Sequence, residues 1–363
     1  MRLVRRSFSL GLAARAAIVL GMMVLFVAKT AAQGVETPPP RISFQISTAS
    51  TTGTYFPVAQ LLAQILSHPP GVGRCEAADV CGPSGLIVST RASEGSVANV
   101  LSINSGTVSS GIAQGDVVAL AVAGDGPFRK NGPATRLRVI ANLFGEDVHL
   151  LAAKGAKITS VADLRGKRVS LSTENSGTII TTRSVLAAYR LTERMIVPNY
   201  DTADKAAELL QDGKIDAVFF VGGTPVNLVE QLLKEDVAQL VPIDGAGRDR
   251  LLSRAPYLSA HTIPAGIYGN AAAVETVSVD ALWITDATQP ETLIYGMVKS
   301  LFNPANRAAL EAGKAGSHFL DLDDAVNAPA FIHPGAARYF SELGLLRPGD
   351  KASLPTPSSP RKS

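Results

Sequence analysis

RISFQISTASTTGTYFPVAQLLAQIL, residues 41–66, decides the fold class. Ile42, Phe44 and Ile46 alternate with Ser43, Gln45 and Ser47, the period-two pattern of a strand with one buried face. A loop of Ser50, Thr51, Thr52, Gly53 and Thr54 follows; then Tyr55, Val58, Leu61, Leu62, Ile65 and Leu66 recur at helical spacing. Strand, small polar loop, helix is the unit from which open α/β sheets build ligand clefts. Free N–H groups at the helix start face whatever lies beyond the strand end. Gly53 permits close backbone approach and the hydroxyls offer neutral hydrogen bonds. The competing reading gives these Ser and Thr residues no task beyond capping the helix.

The design returns along the chain. A strand over 85–90 (GLIVST) meets a turn of Ser93, Glu94, Gly95 and Ser96 before a helix over 96–103. A strand over 110–113 ends in Gln114-Gly115-Asp116, with Asp116 read as the N-cap of a helix over 117–123. Segments 137–144 (LRVIANLF) and 148–153 (VHLLAA) read as two apolar strands. The pattern then restarts with a strand over 168–172, a loop over 173–178 and a helix over 179–189. A helix over 203–210 and a buried strand over 215–221 lead to Gly222-Gly223-Thr224-Pro225. These residues open a helix over 226–233, with Pro225 at a first helical position. A strand over 238–243, a turn-rich link over 263–268, a strand over 274–283 and helices over 290–301, 304–312 and from His333 complete the fold.

Loops that follow strands and precede helices collect at the carboxyl edge of a parallel sheet. Two α/β halves with such edges facing one another enclose a cleft lined by hydroxyls, amides, glycine N–H groups and the ring of Tyr55. That lining suits a small polar or anionic solute.

The first 32 residues read as a secretory signal. Arg2, Arg5, Arg6 and Arg15 precede an apolar run over 16–28, and Thr30-Ala31-Ala32 offers small residues for cleavage after Ala32. Arg5-Arg6-Ser7-Phe8 hints at the twin-arginine route, and an uncleaved anchor is the rival reading. Residues 33–40 read as an extended leader and 346–363 as a disordered tail. Losing Arg2, Arg5, Arg6, Arg15 and Lys29 turns 34 basic against 31 acidic residues, net +3, into 29 against 31, net −2. The basic balance is largely the signal's, so no nucleic-acid partner is expected. Cys75 and Cys81 have no histidine at zinc spacing, and in an exported chain a local disulfide is the default.

Catalytic equipment is sparse. There is no G-x-S-x-G elbow, P-loop or G-x-G-x-x-G. His68, His149, His261, His318 and His333 form no H-E-x-x-H or i,i+4 pair, and Ser93 and Ser176 have no evident base. No enzyme activity, metal or cofactor is expected.

Several motifs occur in a specific joint order: G-T-Y-F-P at residues 53–57, G-S-V-A-N at 95–99 and Q-G-D at 114–116. D-L-R-G-K-R-V follows at 163–169, S-G-T at 176–178, D-A-V-F-F-V-G-G-T-P at 216–225, I-P-A-G-I-Y at 263–268 and H-P-G-A-A-R-Y at 333–339. Together they resemble the TAXI family, the extracytoplasmic solute receptors of TRAP-type transporters. The resemblance covers about residues 42–344. It implies an α/β, two-lobed type II periplasmic-binding-protein fold, each lobe a mostly parallel sheet flanked by helices, with two interlobe crossover strands. Lobe I would be 41–145 plus 274–345, and lobe II 146–273.

By matching position, the resemblance implies a ligand site of Thr54, Tyr55, Ser93, Glu94, Gly95, Ser96, Asn99, Gln114, Ser176, Gly177, Thr178, Gly223, Thr224 and Pro225. It further implies a periplasmic monomer that captures a glutamate- or glutamine-like solute or a dicarboxylate and delivers it to a membrane permease. The first loop departs from the family, carrying Ala49-Ser50-Thr51-Thr52 where glycine is usual, so extra side chains would narrow the pocket. A carboxylate ligand would call for a cation, and Arg91 and Arg183 stand nearest the loops, though both also read as surface residues. A ligand-binding subunit for a sensor kinase, and an exported enzyme on the same fold, are the rival functions.

Overall fold

A computed structural model describes residues 41–313 and 315–346. The signal, the leader and residues 347–363 of the tail lie outside the described residues. Alternating apolar residues form β1 (Ile42–Ser47), and the helical repeat after the first loop forms α1 (Tyr55–Leu66). The chain continues through β2 (Leu86–Arg91), α2 (Ser96–Asn104), β3 (Ser110–Gln114) and α3 (Gly115–Ala123). β4 (Leu137–Ala153) is one strand, not the two expected: burial and pairing with residues 278–280 of a later strand continue through Gly145-Glu146-Asp147. Next come β5 (Arg168–Ser170), α4 (Gly177–Ala188), β6 (Val197–Asn199), α5 (Ala203–Gln211), β7 (Ala217–Gly222), α6 (Asn227–Lys234) and β8 (Ala238–Val241). α7 (Gly245–Arg254) and β9 (Leu258–Ile263) were not foreseen; β9 is ordered by pairing with β10 (Val274–Asp286). α8 (Glu291–Leu301), α9 (Arg307–Ala312) and α10 (Pro334–Glu342) finish the described chain.

The strands form one sheet in the order β2-β1-β3-β10-β4-β7-β5-β6, with β8 added to β4 and β9 to β10. Two parallel groups, β2-β1-β3 and β7-β5-β6, flank the long antiparallel pair β4 and β10. Along β4, residues 137–147 bond β10 and residues 147–152 bond β7. Along β10, residues 274–279 bond β9 and residues 281–285 bond β3. Both long strands therefore pass from one group to the other, which makes the two-lobed α/β fold.

One core packs Phe44, Ile46, Leu62, Met297 and Phe340 around Trp283. That ring meets Phe44 edge-on at 6.3 Å, and its Nε1–H donates to Ser110 Oγ at 3.1 Å, the polar partner a buried indole needs. A second core gathers Val218, Phe220, Val229 and Leu232. The largest runs beneath both groups, joining Val117 and Val118 of α3 to Val185 and Leu186 of α4. Cys75 and Cys81 form the expected disulfide. Their excursion docks on the end of α8, where Lys299 pairs with Asp79 and Asn306 Nδ2 donates to Val80 O, both near 2.9 Å.

Candidate functional site

A cleft of about 420 Å³ lies between the two strand groups. One wall is the loop after β1, the turn after β2 and Gln114 at the end of β3; the other is 172–173, 176–178, 202–204 and 219–222. Its floor is Glu146, midway along β4. The starts of α1, α2 and α4 all reach it, because each follows a strand of its own parallel group. Ten of the residues implied by the resemblance line it: Thr54, Tyr55, Ser93, Glu94, Gly95, Ser96, Gln114, Ser176, Gly177 and Thr178.

The first loop is not a cap. Thr54 makes no side-chain cap bond to α1; its Oγ1 instead accepts from Gly223 N at 3.2 Å in the other lobe. Ser50 and Thr52 donate to Asp204 of α5 at 3.1 and 2.6 Å. Asn175 Nδ2 donates to Glu94 Oε2 at 2.6 Å, and Ala98 N donates to Asn175 O at 3.2 Å. These bonds span the cleft, so this is a closed arrangement. Ser176 does cap: its Oγ accepts from Ile179 N at 3.3 Å at the start of α4. Gly177 follows, and a Cβ there would stand only 1.7 Å from Gln114 Oε1, so glycine is what lets the two walls meet.

Four of the implied residues lie outside the lining. Asn99 is completely buried. Its Nδ2 donates to Thr48 O and Ile112 O at 2.5 and 2.7 Å, and its Oδ1 takes the Ser47 hydroxyl at 2.7 Å. Ser93 Oγ lies at the same distance from Oδ1. It ties the ends of β1 and β3 to α2 and leaves no group for a solute. Gly223, Thr224 and Pro225 sit behind the cleft wall. The Thr224–Pro225 bond is cis, and α6 starts at Asn227, so Pro225 is not the first helical residue expected.

Thr224 belongs to a separate knot. Its hydroxyl donates to Asp147 Oδ2 at 2.6 Å, and Asp147 Oδ1 lies 2.6 Å from His261 Nδ1. Burial pushes His149 down to about 4, leaving it neutral, with Nε2 2.9 Å from Tyr268 Oη. Tyr268 Oη in turn accepts from Val226 N at 2.8 Å. The knot clamps the 222–226 turn onto β4. The Thr224 hydroxyl also lies 3.2 Å from His149 Nε2, so it is held between Asp147 and the His149 ring.

Asp116 also departs from expectation. It lies inside the first turn of α3, accepting from Thr181 Oγ1 of α4 at 2.6 Å, and burial pushes its carboxyl up to about 6. Arg183 is engaged with Glu193 at 2.5 Å, and neither it nor Arg91 lines the cleft.

Sequence reading missed Glu146. It is 2 % exposed, Tyr55 Oη donates to its Oε2 at 2.7 Å, and burial pushes its carboxyl up to about 8. Burial, and then the nearby Glu146, raise the Tyr55 phenol well above its ordinary value. The signal for Glu146 was present: an acidic pair interrupting an apolar run is costly unless it has a task. Among the described residues, no group of three or more His, Cys, Asp or Glu is placed to hold a metal, and no helix is long and apolar enough to cross a membrane.

A family model described as "NMT1-like family" matches residues 46–344. Among solved structures, the chain is similar to MatC from Rhodopseudomonas palustris with bound malate. The identity there is 13%, the match covers 77% of this chain and 90% of that one, and the TM-score is 0.49. The alkanesulfonate-binding protein SsuA from Xanthomonas axonopodis pv. citri bound to MOPS is 15% identical over 76% of this chain and 79% of its own, with a TM-score of 0.42. The periplasmic aliphatic sulphonate binding protein SsuA from Escherichia coli is 15% identical over 76% and 78%, with a TM-score of 0.44.

Proposed function

The chain belongs to the NMT1-like family, and from that premise we propose that it is an extracytoplasmic receptor for a small polar solute, working with a membrane transporter. The observation that carries this reading is the cleft of about 420 Å³ walled by hydroxyl-rich loops from both lobes. The bonds from Ser50 and Thr52 to Asp204, and from Asn175 to Glu94, favour the closed state. A solute bonded to both walls adds to them and shifts an open–closed equilibrium. We take residues 41–145 with 274–345 as one lobe and 146–273 as the other, hinged where β4 and β10 cross. The ten lining residues named above are the solute contacts. The order of motifs from Gly53 to Tyr339 favours a TAXI-type receptor, and hence a TRAP-type permease as the partner that receives the closed form. The protein carries out no bond chemistry, and it acts in the periplasm after loss of its first 32 residues.

The test is mass spectrometry of small molecules released from the purified, denatured protein, joined to thermal unfolding against a solute panel. A solute present at 100 times its Kd that binds only the folded state adds about 2.7 kcal/mol. A protein that releases nothing and responds to nothing ends the receptor reading. Uptake into vesicles holding the permease, with and without the receptor, tests the partner.

A further inference from the structure

We infer that the cleft is built for a solute carrying a protonated amine, that the amine seats on Glu146, and that dicarboxylates without an amine are rejected. This rests on the receptor reading and narrows its solute class.

The carboxyl groups on the cleft face no basic side chain in its lining. Among the described residues, the lining carries Glu94, Glu146 and Asp204 and no lysine, arginine or histidine. Glu94 and Asp204 lie toward the rim, each held by neutral donors from the opposite wall. Glu146 lies at the floor. One of its oxygens accepts from Tyr55 at 2.7 Å; the other receives no hydrogen bond from the described residues, while the residue faces the cleft.

The groups around Glu146 do not neutralise it. Tyr55 faces it from α1, Asp116 from α3, Asp147 from its own strand and Asp280 from β10. The nearby His261 and His318 rings are taken up by Asp147 and Asp280, at 2.6 and 3.1 Å, and no cation reaches Glu146 itself among the described residues; a buried carboxyl so placed must hold a proton or receive a cation. A solute carboxylate placed on the floor would meet Glu146 and the Tyr55 phenol, with Asp116, Asp147 and Asp280 behind them. An ammonium there supplies the missing counter-charge, and three N–H donors suit the unpartnered oxygen. A single carboxylate elsewhere on the solute is accommodated, since the starts of α1, α2 and α4 offer N–H groups at the walls. An amino-acid-like solute fits; a dianion does not.

Seating the amine has a measurable consequence. Burial holds Glu146 protonated up to about pH 8 in the empty cleft. The arriving ammonium favours the carboxylate, so the glutamic proton leaves to solvent as the solute binds.

The experiment uses matched pairs on the purified protein: L-glutamate against 2-oxoglutarate, L-glutamine against glutaramate, and 4-aminobutyrate against butyrate. Each is titrated calorimetrically at pH 6, 7 and 8 in two buffers of different ionisation enthalpy, and any co-purified solute is identified by mass spectrometry. Binding or co-purification confined to amine-bearing compounds, with up to one proton released and affinity rising as much as tenfold per pH unit toward pH 8, supports the inference. Loss of that pH dependence, with binding weakened at least tenfold, is expected for Glu146→Gln; the proton count on the unsubstituted protein carries the same test should the variant misfold. An amine-free dicarboxylate bound as tightly as its amine partner, or binding without proton release at pH 6 and 7, overturns the inference and leaves the receptor reading standing. An empty cleft that answers none of the compounds overturns both.

Discussion

Tyr55 Oη donates to Glu146 Oε2 across 2.7 Å, joining the first turn of the first helix to the middle of a crossover strand at the floor of the cleft. Both residues are buried, so the bond forms in a low-dielectric site where it is stronger than in water. Tyr55→Phe keeps the ring and removes the donor. The expected loss of stability is about 1–3 kcal/mol, because a buried carboxyl oxygen is left without its partner. Because that hydrogen bond lowers the Glu146 pKa, the same substitution raises it further. Urea unfolding at pH 7 and carbon-13 titration of labelled glutamate check the two effects.

Glu146 and Asp116 make the empty protein less stable as pH rises. Their folded values, about 8 and about 6, stand above the ordinary 4.5 and 3.8. Between the ordinary and folded values the native state binds more protons than the unfolded chain, so stability is greatest below the ordinary values and falls through pH 6 and 8. The slope for one group cannot exceed about 1.4 kcal/mol per pH unit. Chemical denaturation from pH 5 to 9 checks this, and Glu146→Gln should flatten the segment above pH 6. A stability that rises with pH over that range would count against the buried, proton-holding carboxyl.

Gly177 is the point where one wall touches the other. A Cβ there would meet Gln114 Oε1 at 1.7 Å and Ser96 Oγ at 2.6 Å. Gly177→Ala should therefore cost about 1–3 kcal/mol in the closed form, as overpacking does, and shift the protein toward an open one. Small-angle scattering should give a larger radius of gyration for the variant, with solute affinity reduced. An unchanged radius and affinity would mean that the walls do not need this contact.

Asn99→Ala tests whether a residue matched to a ligand motif is structural. The substitution leaves Thr48 O and Ile112 O short of a donor in a buried site. The expected cost is about 2–4 kcal/mol of global stability, seen as a lower urea midpoint with an unchanged m-value. Affinity per folded molecule should fall far less than it does for Glu146→Gln.

The motif order led to most of the cleft but could not separate residues that face it from residues that build it. Gly95, Ser96 and Asn99 sit in one short motif, yet Ser96 lines the cleft and Asn99 points into the gap between β1 and β3. One helical turn divides those roles, and which side of α2 meets the sheet depends on packing. Thr224 shows the same limit: its neighbours suggest a ligand loop, while the partner that claims its hydroxyl, Asp147, lies 77 positions away.

The sequence alone determined the local elements and their order. Period-two and helical repeats are written in consecutive residues, so β1, α1 and the polar loop between them were legible from residues 41–66. It also determined that the loops after β1 and β2 would share one edge, since parallel strands joined by helices place their carboxyl ends together, and that the loop after β5 would lie at the matching edge of a second half. Only the tertiary structure decided that 137–153 is a single strand crossing between lobes and that Leu258–Ile263 is a strand at all, because both are set by pairing with Val274–Asp286. It alone decided the sign of charge in the cleft. Arg183 and Glu146 carry equal charge weight in a sequence. One turns outward to Glu193 and the other is carried inward by the alternation of a buried strand, and desolvation then governs its proton.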